Sequence, residues 1–375
     1  ALDFEAGAPG AGIAREQVVA NGDCIVEARE QYGSTMSEGL YRWMYAGLTD
    51  MDYATLITTG TASELAPLVD FDLLKIHPFQ HGTMMGHHPA CLLSSEEQAP
   101  LYADTGQGLG PESFYKYVSA SLAYGHMLIL GYWYTPPLSR FIHYDALMQG
   151  VQREYLTDTA AEIGYHNGKA LVPTSQALAE GSQQLGRVYV RYSRGLRVWV
   201  NYNAEKPWAV EASGRTYELP PYGWLIEKPD EILAYSALIG GHRVDFVRCP
   251  DYLYLNTGDT RAAEGPLDVD GAVWLKREGG GGRLIPCGDL GPWERFPPPG
   301  LPSNFSDFRL SGVPPDRGCR SIVVDTRALL ARPAGEVRIT ARGEAGDRTD
   351  ADVRQLDDAR LQFVSMAGIV DCVME

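Results

Sequence analysis

Two carboxylates, Asp3 in "ALDFE" and Glu38 in "STMSEG", each stand at the end of a short run where a strand would give way to a loop. An acidic pair on neighbouring strand ends can break a glycosidic bond. One carboxylate attacks or stabilises an oxocarbenium-like centre while the other protonates the leaving oxygen. Carboxyl groups about 5 to 5.5 Å apart give a retaining reaction, and about 6.5 to 9.5 Å leaves room for water and gives inversion. An isolated acid is more often a helix N-cap or a surface charge. Glu38, however, is followed at once by Gly39, Tyr41, Trp43 and Tyr45. A glycine admits close approach of the backbone, and aromatic rings stack on sugars, although the same rings would serve equally well as core.

A second group of candidates lies in "LVDFDLLKIHPFQHGTMMGHHP". Val69, Phe71 and Leu73 alternate with Asp70 and Asp72, which places both aspartates on one face of a strand ending near His77. A carboxylate on an inward face must be paired or solvated by a cavity. Asp70 or Asp72, with His77, is therefore expected to line a sugar pocket and orient hydroxyls. Asp50 and Asp52 either bind hydroxyls in the same way or cap a helix end. His77, His81, His87 and His88 are metal-ligand types, but their spacing matches neither HExxH nor paired CxxC. No metal and no cofactor is expected. There is no GxSxG elbow, and "GQGLG" and "GGGG" lack the strand before and the helix after that a phosphate-binding fingerprint requires, so they read as loops. His126 reads as a core histidine.

The elements that would position these residues fall into two regimes. Up to about residue 165, short apolar runs alternate with helical stretches: "ALDFE" precedes "REQVVANGDCIVEAREQY", "STMSE" precedes "GLYRWMYAGL", and "HMLILGYWY" precedes "PLSRFIHYDALMQGVQREYL". Strand, loop and helix in series indicate parallel α/β units. In the first helix Val18, Val19, Cys24, Ile25, Val26 and Ala28 form an apolar side opposite Glu16, Asp23, Glu27 and Glu30, as an outer barrel helix would. Beyond residue 165 the period becomes two. "RVYVRYSRGLRVWVNYN" reads as a hairpin turning at Ser193, Arg194 and Gly195, and "WAVEASGRTYEL" as another turning at Ser213 and Gly214. A Gly/Pro-rich break, "REGGGGRLIPCGDLGPWERFPPPGLP", then leads to the β-like "RSIVVDT" and "GEVRITARG".

The 375 residues, 45% apolar, suffice for two or three domains. With 32 basic against 48 acidic residues the formal charge is -16, which argues against nucleic acid or an anionic membrane surface as partner. The six cysteines lie far apart, as free and mostly buried thiols would. No run reaches the ~20 apolar residues of a membrane span. The chain opens on Ala1 as if in mid-strand, so the front of a barrel is expected to be missing. Localisation stays open, with secretion or a periplasmic site included.

Taken together, "YGSTMSEGLYRWMYAGLTDMDYA", "LVDFDLLKIHP" and "YELPPYGWLIEKP" resemble the C-terminal half of bacterial glycoside hydrolases broadly similar to the endo-α-N-acetylgalactosaminidase group, over roughly residues 1 to 260. The resemblance implies an incomplete (β/α)8 TIM barrel over 1–165, an antiparallel β-sandwich domain over 166–300 and a partial second β domain over 301–375. It also implies a retaining mechanism, with Asp3 as nucleophile and Glu38 as general acid and then base. Tyr41, Trp43, Asp50, Asp70, Asp72 and His77 would contact an oligosaccharide or polysaccharide. The reading from another class is a non-catalytic carbohydrate-binding or cell-surface scaffold protein.

Overall fold

The computed structural model describes residues 15–33, 35–38, 51–53, 111–125, 138–278, 280–287, 321–343, 348–349, 352–365 and 369–374. Over these residues the protein is mostly antiparallel β with a few helices. The described parallel pairing is that of two short strands, β1 (Met36–Glu38) and β2 (Met51–Tyr53). Ahead of them lies α1 (Arg15–Tyr32), with the bounds its sequence suggested. Its apolar side is not the buried stripe expected of an outer barrel helix, since Val19 is 53% and Val26 39% exposed. Apolar periodicity marks the face a helix can bury and does not supply the surface that covers it.

Two further helices pack on the β structure. In α2 (Pro111–Tyr124), which the sequence reading passed over, proline sits at the first helical position and Glu112 lies in the first turn. Gly125, at φ 65, ends it by donating from its N–H to the Leu122 carbonyl. Phe114, Tyr117, Val118, Leu122 and Tyr124 are buried, and so are Lys116, Ser119 and Ser121. Exposure is confined to its start, where Glu112 meets solvent, and the rest of its described length is buried or half-buried. The helix expected from "PLSRFIHYDALMQGVQREYL" is α3 (Leu138–Tyr155). Stacking of Tyr117 on Tyr144, at 6.3 Å between centroids, joins α2 to α3.

The main sheet is built from β3 (Ala160–His166), β4 (Leu171–Pro173), β5 (Arg187–Tyr192), β6 (Arg197–Asn201), β9 (Gly223–Lys228), β10 (Ile232–Ile239), β11 (His242–Arg248), β12 (Tyr252–Glu264), β13 (Leu267–Glu278) and β14 (Gly281–Cys287). Pairing runs β4-β3-β5-β6-β9-β10-β11-β12-β13-β14, every ladder antiparallel. A hairpin of β7 (Trp208–Ala212) and β8 (Arg215–Leu219) branches from β10. The expected turns are present: Gly195 has φ 90, and Ser213 and Gly214 have φ 48 and 73, the positive values that a two-residue hairpin turn demands.

The last strands are β15 (Ser321–Asp325), β16 (Ile339–Gly343), β17 (Arg348–Thr349), β18 (Asp352–Gln355), β19 (Arg360–Ser365) and β20 (Ile369–Met374). Leu267 to Asp270 of β13 pair with β15, whereas Ala272 to Glu278 pair with β14, so one strand serves two layers. Its partner β12 is irregular between Asn256 and Arg261 at this same level. There the Thr257 hydroxyl donates to the Thr260 carbonyl and accepts from the Gly271 N–H at 3.1 Å, holding the corner. β15 continues to β19 and β18, and β14 continues to β20, β16 and β17. The ladders thus branch at β10 and β13, and among the described residues none joins their ends into a ring.

Both faces of the main sheet are buried. Val188, Val190, Val198, Val200, Trp224, Ile226, Val247 and Tyr254 belong to a core shared with α2 and α3. The alternating Tyr189, Trp199, Leu225, Phe246 and Leu255 belong to a core shared with β7, β8 and β15 to β20. The layers run helices, sheet, strands.

The Gly/Pro-rich break needs correction at its start, because residues 281–287 are a strand. A Cβ on Gly281 would stand 2.2 Å from the Met374 carbonyl oxygen of β20, so glycine there is a packing requirement of the ladder. Cys249, Cys287 and Cys372 are buried thiols as expected, whereas Cys24 is exposed, and Cys91 and Cys319 lie outside the described residues.

Candidate functional site

Glu38 is the last residue of β1, at the C-terminal end of a parallel pair in register Met36 with Met51, Ser37 with Asp52, and Glu38 with Tyr53. In parallel α/β units loops begin at that end, and so does the chemistry. Asp52 lies inside β2, so of the two alternatives, binding hydroxyls or capping a helix end, the second does not hold for it. Of the other candidates, Asp3, Tyr41, Trp43, Asp50, Asp70, Asp72 and His77 lie outside the described residues. The same is true of His81, His87, His88 and His126. The structure therefore gives Glu38 a strand-end position and leaves its distance to Asp3 undescribed.

Among the described residues, one chain of buried titratable groups crosses from the helices to the sheet. The Tyr115 hydroxyl of α2 donates to Asp245 Oδ2 of β11 at 2.6 Å. His143 Nε2 of α3 stands 3.4 Å from the same oxygen, with both side chains 2% exposed. His143 Nδ1 meets the Tyr254 hydroxyl of β12 at 2.5 Å. Arg243 lies over the Tyr115 ring, 3.9 Å from its centroid. The sequence reading singled out none of these residues. A signal was nevertheless present in "HRVDFVR", where Asp245 interrupts an apolar strand between Val244 and Phe246.

A tyrosine, a histidine and an aspartate in series suggest acid–base chemistry, but His143, Asp245 and Tyr254 are buried. Tyr254 is 1% exposed, and burial pushes its phenol well above the usual tyrosine value, with the neighbouring Cys287, Asp245 and Tyr115 adding to the shift. A general acid or base must come within about 3 Å of the proton it moves, and His143, Asp245 and Tyr254 are each only 1% exposed as whole residues. The arrangement fastens elements together.

Asp158, just after α3, is a second buried anchor, 5% exposed. It accepts from the Thr159 N–H at 2.8 Å, the Arg194 N–H at 2.8 Å and the Ser193 hydroxyl. Burial alone would raise its carboxyl, but these hydrogen bonds and the Arg194 charge outweigh it and hold the group below the usual aspartate value. Here, too, the acid is engaged on all sides. Among the described residues no group of three His, Cys, Asp or Glu stands close enough to hold a metal ion, and no helix is long and apolar enough to cross a membrane. The chain matches no family model, no curated protein and no solved structure.

Proposed function

We propose that this protein is a glycoside hydrolase that cleaves O-glycosidic bonds of an oligosaccharide or polysaccharide by a retaining two-carboxylate mechanism. The observation that carries the reading is the position of Glu38, which closes a strand at the C-terminal end of a parallel pair. The motif resemblance set out above supports it. In this proposal β1 and β2 belong to the C-terminal part of a (β/α)8 barrel over residues 1–165, and the antiparallel strands that follow form a β-sandwich over 166–300 with a further β domain over 301–375.

Asp3 attacks the anomeric carbon while Glu38 protonates the leaving oxygen. Glu38 then takes a proton from the water that releases the glycosyl-enzyme. Tyr41 and Trp43 stack on sugar rings, and Asp50, Asp70, Asp72 and His77 hold hydroxyls.

The test is turnover of aryl glycosides and natural glycans by the full-length gene product, compared with Glu38→Gln. Glutamine keeps the shape and removes the proton that must be transferred. The expected outcome is a loss of roughly 10²- to 10⁴-fold or more on substrates with poor leaving groups, with binding retained. Glycan binding without turnover in the wild type would replace this reading with the carbohydrate-binding scaffold. Turnover unaffected by Glu38→Gln would remove Glu38 from the chemistry.

A further inference from the structure

The main sheet carries a polar row where apolar residues would be cheaper to bury. Ser236, Asp245 and Asn256 face one another across β10, β11 and β12, and all three are buried. Their strand neighbours Tyr235, Ala237, Val244, Phe246 and Leu255 all belong to the opposite core. Alternation therefore turns the row toward α2 and α3. A buried carboxylate persists only when paired and hydrogen-bonded, and Asp245 takes Tyr115 from one helix and His143 from the other.

Further ties cross the same junction. Arg243 donates to the Ser236 hydroxyl at 2.9 Å and to the Pro221 carbonyl at 2.6 Å while covering Tyr115. Ser119 of α2 donates to the carbonyl of Tyr222, at 2.7 Å. Tyr222 holds a φ of 56, a left-handed conformation costly for an aromatic residue and kept only where its surroundings dictate it. The "PPYGW" motif is thereby pinned to a helix. On α3, Gly150 lies so near the sheet that a Cβ would stand 2.7 Å from Cys249 Sγ, and its N–H donates to the Tyr252 hydroxyl, which itself donates to the Ala146 carbonyl.

We propose that this polar row is a clamp that makes α2 and α3 one cooperative unit with the main sheet, so that neither helix opens while the sheet stays folded. Lifting one helix alone would take the hydroxyl or the imidazole away from a carboxylate that the other helix still covers, and that penalty couples the two helices to each other and to the sheet. The β part is then an integral scaffold for the helices rather than an appended module.

Native-state amide hydrogen exchange on the full chain tests this. In the wild type, amides of α2 and α3 are expected to exchange through the same slowest opening as those of β5 and β6. Asp245→Asn should speed exchange in both helices by about tenfold to a hundredfold relative to β5 and β6. Tyr115→Phe, which deletes one hydroxyl and serves if Asp245→Asn does not fold, should do the same to a smaller degree. Arg261→Ala, which breaks the exposed pair with Asp268, should leave the helices unchanged. Wild-type helices exchanging more than about tenfold faster than β5 and β6, or helix exchange indifferent to both clamp variants, would overturn the proposal.

Discussion

Asp158 shows how much a single buried acid can hold. It joins the end of α3 to the β5–β6 turn through Thr159, Ser193 and Arg194. Its folded-state carboxyl lies below the usual aspartate value, so its stabilisation is fully present above the unfolded pKa, about 3.9, and fades as pH falls through the lower folded value. Asp158→Ala should cost about 1 to 3 kcal/mol in urea denaturation near neutral pH. That cost should shrink in the acid range beneath pH 4, where the wild type also loses the ionised group. An equal cost at pH 7 and at pH 2 would contradict the assignment. Neither this acid nor the Asp245 and His143 pair was singled out from sequence. Apart from Thr159, the partners named lie 35 or more positions away (Ser193 from Asp158, Tyr254 from His143), and sequence periodicity reports local faces rather than distant pairings.

Hairpins β5–β6 and β7–β8 were legible because their turn residues are local and their strands alternate with period two. The helix α3 was also legible, whereas α2, which follows the glycine-rich "TGQGLG" read as a loop, was passed over. Strand β14 was hidden because Gly281 and Gly282 look like a break until β20 arrives beside them. Glycine weakens a strand locally, yet here the Met374 carbonyl occupies the space of a Cβ. Gly281→Ala should therefore destabilise the protein by about 1 to 3 kcal/mol and speed amide exchange in β14 and β20 ahead of β5 and β6. A neutral alanine would show that the two strands can part without consequence. Strand β2 was missed for a different reason. Its three residues, Met-Asp-Tyr, are too few to establish any period.

Three layers make up the described structure, with α2 and α3 on one face of a long antiparallel sheet and the strands from β15 onward on the other. The antiparallel β character beyond residue 165 was readable because its period of two recurs over many residues. The route by which β13 serves two layers was not, since it depends on a corner held by Thr257 and Gly271. Cleavage by two carboxylates close together leaves its mark on the stereochemistry of the product. The most direct measurement is the anomeric configuration of the product released at first turnover, followed by NMR on an aryl glycoside that the full-length protein accepts. A two-step reaction through a glycosyl-Asp3 intermediate predicts that the first-formed sugar keeps the substrate's configuration. Product of inverted configuration would place the acids about 6.5 to 9.5 Å apart with water between them and would contradict the proposed roles of Asp3 and Glu38.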